Sequence, residues 1–139
     1  MTATAQDESA NPPGPKPVGR LASVSLDCTD PAALAAFYGD LLGLSIVYRS
    51  PDGGVIALSD GTVWLTMMRA VDHVAPTWPE PGRLQQMHLD IAVADLEHAV
   101  IQAVALGAVP AGHQPSPDSW RVLLDPAGHP FCLTTVDPE

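Results

Sequence analysis

The sequence predicts an α+β fold: two tandem βαβββ modules whose curled mixed sheets form a cleft, with the helices outside. Three observations predict it. The segment LASVSLDCTDPAALAAFYGDLLGL, from Leu21, and the segment QMHLDIAVADLEHAVIQAVALGAV, from Gln86, repeat one pattern. Both begin with an alternating strand, whose period of two marks two different environments. Both then pass an aspartate and enter an Ala/Leu-rich helix that stops at glycine. Such self-similarity points to a duplicated supersecondary unit.

In the first strand Val24, Leu26 and Cys28 share one face, and Ser23, Ser25 and Asp27 share the other. Asp30 stands where a carboxylate accepts hydrogen bonds from a helix's free N–H groups, and Pro31 suits the first helical position. Leu34, Phe37, Tyr38, Leu41 and Leu42 form the apolar stripe, and Gly43 ends the helix as a left-handed cap. Three strand-like segments follow: SIVYRS, GVIALSD and TVWLTMM, separated by Pro51-Asp52-Gly53-Gly54 and by Asp60-Gly61. In the last, Trp64, Thr66 and Met68 alternate with Val63, Leu65 and Met67, and the set with the polar residue is assigned to the cleft.

In the second module Met87, Leu89, Ile91 and Val93 form the apolar strand face, with His88, Asp90 and Ala92 opposite. Asp95 caps a helix carrying Leu96, Ala99, Val100, Ala103 and Leu106, which stops at Gly107. A weak strand around Val109 follows, then SWRVLLD and HPFCLTTV, joined by the turn Asp125-Pro126-Ala127-Gly128. Residues 1–19 are proline-rich and polar and are expected to be a disordered tail. Residues 20–137 are expected to form one domain: module one at 20–69, a proline-rich linker at 70–83 and module two at 84–137.

Composition narrows the function classes. The 139 residues are 46% hydrophobic and 16% charged, which suits a folded domain. No apolar run approaches a membrane span and no secretory leader is visible, so a cytoplasmic protein is expected. Cys28 and Cys132 make no CxxC pair, and no disulfide is expected. A net charge of −10 would repel a phosphate backbone, which argues against nucleic acid. No phosphate loop, catalytic-triad order or nucleophile elbow is present.

With the repeat established, the chain resembles the vicinal-oxygen-chelate superfamily of glyoxalases, bleomycin-resistance proteins and extradiol dioxygenases. It looks most like the actinobacterial glyoxalase-like subfamily. The matching stretches are LDCTDPAALAAFYGDLLGL, APTWP, QQMHLDIAVADL and DPAGHPFCL. The resemblance implies a small-molecule pocket, and in metal-dependent members four ligands on the first and last strands of each module. Those positions fall on Ser23, Thr66 or a close neighbour, His88 and Cys132. Serine and threonine hydroxyls are poor ligands for Zn, Ni or Fe. No cofactor is therefore expected, and a divalent ion at His88 and Cys132 would be weakly held.

His88 is the sharpest candidate, as acid, base or hydrogen-bond anchor, or else as a histidine merely bonded to a neighbouring strand. Asp90 either orients it or binds a ligand hydroxyl, or forms an ion pair with Arg121. Cys132 is either a ligand-pocket residue or an inert small hydrophobe. His73 and Trp78 belong to a loop that could cover the cleft, and His129 is expected to hold its hairpin. Ser23, Ser25, Trp64, Thr66, Met68, Trp78, Trp120 and Cys132 are the expected ligand-binding set, with His88 and Asp90 as catalytic candidates. Two readings follow: a metal-independent binder of an apolar or aromatic metabolite or antibiotic, or a lyase or isomerase using His88 and Asp90. Resemblance and exposed sheet edges together imply a homodimer.

Overall fold

The computed structural model describes residue 17 and residues 19–135; most of the expected tail lies outside them. Module one runs β1 (Ser23–Cys28), α1 (Pro31–Leu42), β2 (Ser45–Arg49), β3 (Val55–Ser59) and β4 (Trp64–Arg69). Module two runs β5 (Leu89–Ala92), α2 (Leu96–Leu106), β6 (Val109–Pro110), β7 (Trp120–Leu124) and β8 (Pro130–Thr134). Residues 70–83, between them, contain neither helix nor strand.

Local chemistry sets the helices. The Asp30 carboxylate accepts from Ala33 N at 3.1 Å, with Pro31 at the first helical position and Gly43 closing α1 at φ 69°. Asp95 caps α2 in the same way, accepting from His98 N at 3.1 Å. Side-chain oxygens thereby satisfy N–H groups that the first turn leaves unpaired.

The sheets depart from expectation. The two βαβββ modules are present and each sheet is mixed, but neither sheet curls or closes to make a cleft. Their strand orders are β1-β4-β3-β2 and β5-β8-β7-β6, with β1–β4 and β5–β8 parallel. Each is an open four-stranded layer with two free edges among the described residues. The reason lies in the edge strands. β2 slips register between Ile46 and Tyr48, and β6 is two residues long and contains Pro110. A bulge, a short strand and a proline are all poor templates for further pairing.

Instead, the modules meet through their apolar sides. Leu34, Phe37 and Tyr38 of α1 share one core with Ile56, Leu58, Leu65 and Met67 of module one and with Leu123, Phe131 and Leu133 of module two. Phe37 and Tyr38 stand 5.9 Å and 6.3 Å from the Phe131 ring, centre to centre. Tyr38 also donates its hydroxyl to Asp125 at 2.7 Å, a buried bond spanning the modules. The Ala-rich α1 leaves room for these rings to reach across, and merging two small cores buries more apolar surface than either could alone.

Candidate functional site

Strand parity builds the site. Leu89 and Ile91 of β5 turn toward the core, which leaves His88 and Asp90 on the opposite face. Asp90 pairs in register with Cys132 of β8, so the thiol and carboxylate are neighbours on that face. His88 Nε2 lies 3.1 Å from Asp90 Oδ1, and its Nδ1 lies 2.7 Å from Gln85 Oε1. The Trp78 indole stacks on the imidazole, with ring centres 5.5 Å apart and planes 16° from parallel. The Asp90 carboxylate is largely exposed, whereas Cys132 is buried. Burial first, then the Asp90 charge and its hydrogen bond, push the Cys132 thiol up to about 11. It is therefore protonated near neutral pH. Trp120 of β7 is half-buried on the same sheet face, two residues along from Val122, the partner of Cys132.

Module one presents the corresponding face with different chemistry. Ser23, Ser25 and Asp27 of β1 pair with Trp64, Thr66 and Met68 of β4. The Ser23 and Thr66 hydroxyls hydrogen-bond each other at 2.7 Å. Trp64 and Met68 are 40% and 39% exposed, while Leu65 and Met67 enter the core. The structure thus gathers the expected residues into two groups, one per module.

The donor chemistry decides how well a metal fits. The ligand atoms of His88, Asp90 and Cys132 lie within 4.8 Å of one another, close enough to hold an ion. The other two family positions supply only neutral hydroxyls already bonded to each other. The residues present fit a three-donor half-site in module two; they do not fit the family's chelate drawn from both modules.

Several residues behave differently from the sequence reading. Asp90 and Arg121 do not pair; Arg121 lies on the helix side opposite Leu133 and bonds Glu97 of α2. His73 docks on the Ala127 carbonyl, and the His129 ring reaches the Asp27 carbonyl across the modules. Between the modules a cleft of about 390 Å³ is bordered by Ser25, Asp27, His73, Arg83, Met87 and His129, among others. Ser25 is the expected site residue that borders it; His88 and Asp90 stand outside. The Gln85 and Tyr38–Asp125 contacts have no signal in the sequence pattern. Gln85 lies in QQMH, three residues before His88, but in an irregular segment no periodicity brings the two together.

Fold and site together define a duplicated α+β protein carrying a polar and aromatic sheet face in each half. The chain belongs to the glyoxalase-like domain family, whose profile matches residues 23–134, and so to the glyoxalase/bleomycin-resistance superfamily. A glyoxalase/bleomycin resistance protein/dioxygenase family enzyme from Burkholderia phytofirmans is similar in structure. It is 21% identical with a TM-score of 0.61, over 83% of this chain and 97% of that one. A lactoylglutathione lyase from Agrobacterium tumefaciens matches at 23% identity and TM-score 0.57, over 86% and 95% of the two chains. The fosfomycin resistance protein FosX from Mesorhizobium loti matches at 17% and 0.61, over 87% and 94%. At these identities the likeness establishes the fold. Curated protein sequences give no match. No helix among the described residues is long and apolar enough to cross a membrane.

Proposed function

We propose that this protein is a metal-independent, cytoplasmic, homodimeric binder of a flat apolar or aromatic metabolite or antibiotic, within the actinobacterial glyoxalase-like subfamily. The carrying observation is the Trp78–His88 stack, a π surface with polar anchors at its edge in Asp90 and Gln85. Trp64 and Met68, exposed on the module-one face, offer further apolar contact, with Ser23, Ser25, Thr66, Trp120 and Cys132 beside the two surfaces. Aromatic walls with a few directed polar groups suit a planar ligand. The neutral Ser23–Thr66 hydroxyl pair, at two of the four family ligand positions, favours binding without an ion. A metabolite library screened by tryptophan fluorescence on EDTA-treated protein tests this. Hits should lose about tenfold in affinity in Trp78→Ala. Hits that bind only after Zn or Ni is restored would overturn metal independence.

A second reading is favoured by the 3.1 Å His88–Asp90 contact: a lyase or isomerase in which His88 moves the proton and Asp90 holds the ring. Under that reading His88→Ala abolishes turnover and leaves ligand affinity nearly intact. As a pure binder, the same variant weakens affinity and nothing else.

A further inference from the structure

The cleft at the module junction holds two histidines that the His88 face does not use. His73 comes from the linker and His129 from the end of the turn before β8. His73 Nε2 lies 2.9 Å from the Ala127 carbonyl oxygen, and His129 Nε2 lies 2.6 Å from the Asp27 carbonyl oxygen. A carbonyl oxygen can only accept, so in both rings Nε2 carries the hydrogen. In the neutral ring the lone pair then sits on Nδ1, and neither Nδ1 has a partner among the described residues. The ring centres are 5.0 Å apart. Two imidazoles on one ion, with metal–nitrogen bonds of about 2.1 Å, stand with centres roughly that far apart. A backbone carbonyl on the non-ligating nitrogen is also how metal-binding histidines are held in tautomer and orientation. The net charge of −10 attracts cations to such a site. Arg83, also at the cleft, donates Nη1 to the Ala75 carbonyl.

We propose that His73 and His129 form a site for a divalent transition metal at the module junction, with water supplying the remaining positions. Imidazole nitrogen selects borderline ions such as Zn, Ni and Cu over Mg or Ca. The ion would tie the linker to the second module's turn and act as a clamp. This site shares no residue with the family ligand positions and does not depend on the small-molecule reading above.

The test removes the competing donors first, in a His88→Ala/Cys132→Ser background stripped with EDTA. Calorimetric titration with Ni or Zn should show about one ion per chain and a rise in melting temperature. Adding His73→Ala or His129→Ala should weaken binding by at least about tenfold. No saturable binding in the background, or binding undiminished in both histidine variants, overturns the proposal. Should a histidine variant fail to fold, copper electron paramagnetic resonance on the folded background protein decides. Imidazole nitrogen couplings from two rings are expected, and a spectrum without them overturns the site.

Discussion

Asp125 shows how much one buried carboxylate can organise. It is 3% exposed and accepts hydrogen bonds from the Tyr38 hydroxyl, Ala127 N and His129 N, fixing its own turn and joining it to α1. Tyr38→Phe removes one of these donors from an otherwise satisfied buried group, and should cost about 1–3 kcal/mol in urea denaturation. The pH dependence follows from the same burial. Burial first, then the Asp125 charge, raise Tyr38 above the usual tyrosine range, and burial raises the Cys28 and Cys132 thiols above their ordinary 9.0. Below that pH these groups are protonated in both states and contribute nothing to the slope. Above it the unfolded chain releases protons that the folded chain retains, so stability falls as pH rises. The urea midpoint should therefore decline from about pH 9 upward, and Tyr38→Phe should flatten the part above about pH 10. Gly128 offers a second single-residue test. A methyl group there would meet the Ala75 Cβ at 2.4 Å, at a φ of 88°. Gly43, also left-handed, has nothing within 4 Å. Gly128→Ala should lift the linker from the turn and cost clearly more than Gly43→Ala, for which about 1–2 kcal/mol of backbone strain is expected. Equal losses in parallel denaturation curves would mean that the linker does not pack there as described.

Alternation along a strand tells which residues share a face, and that much was readable for β5, β4 and β8. Leu89 and Ile91 turn to the core with Phe131 and Leu133, while Asp90 and Cys132 lie side by side opposite. Capping aspartates and terminal glycines likewise announced both helices. What alternation cannot tell is what covers a face. Polar residues needing shelter suggest curled sheets that form a cleft, but the two cores merge on the helix side and the sheets stay open. Tyr38 was legible only as part of an apolar stripe, because its partner Asp125 lies 87 residues away. Of the two alternatives for Asp90, the ion pair with Arg121 is not formed, because parity with Leu133 puts Arg121 beside α2. The parity of β5 makes a sharp contrast. Leu89→Asp would place a charge against the shared core and should lower stability by several kcal/mol, on the order of the whole margin. Asp90→Ala, at an exposed position one residue away, should stay within about 0.5 kcal/mol. Thermal melts by circular dichroism separate the two, and similar melts would place β5 in the wrong register.

Much apolar surface stays uncovered in a single chain, and β2 carries a large share of it. Ile46, Val47 and Tyr48 are 48%, 47% and 46% exposed, three in succession on a strand whose outer edge has no partner among the described residues. Three large apolar side chains exposed together are a surface to be covered, and the same patch on a second copy covers it with two-fold symmetry at no cost in new sequence. The net charge of −10 opposes such pairing, but at physiological salt its reach is only about 8 Å. Burial of several large side chains outweighs repulsion screened to that degree. The expected species is therefore a homodimer joined along β2, with both polar sheet faces left accessible to ligand. Sedimentation equilibrium at micromolar concentration should give twice the chain mass of 14.6 kDa and fall toward the monomer as salt is lowered. Tyr48→Lys puts a solvated charge on the edge and should yield monomer at any salt. Ile101→Lys, at an exposed position on α2, should leave the dimer intact. A wild-type chain sedimenting at the single mass, or an Ile101→Lys chain that dissociates while Tyr48→Lys does not, would move the interface away from β2.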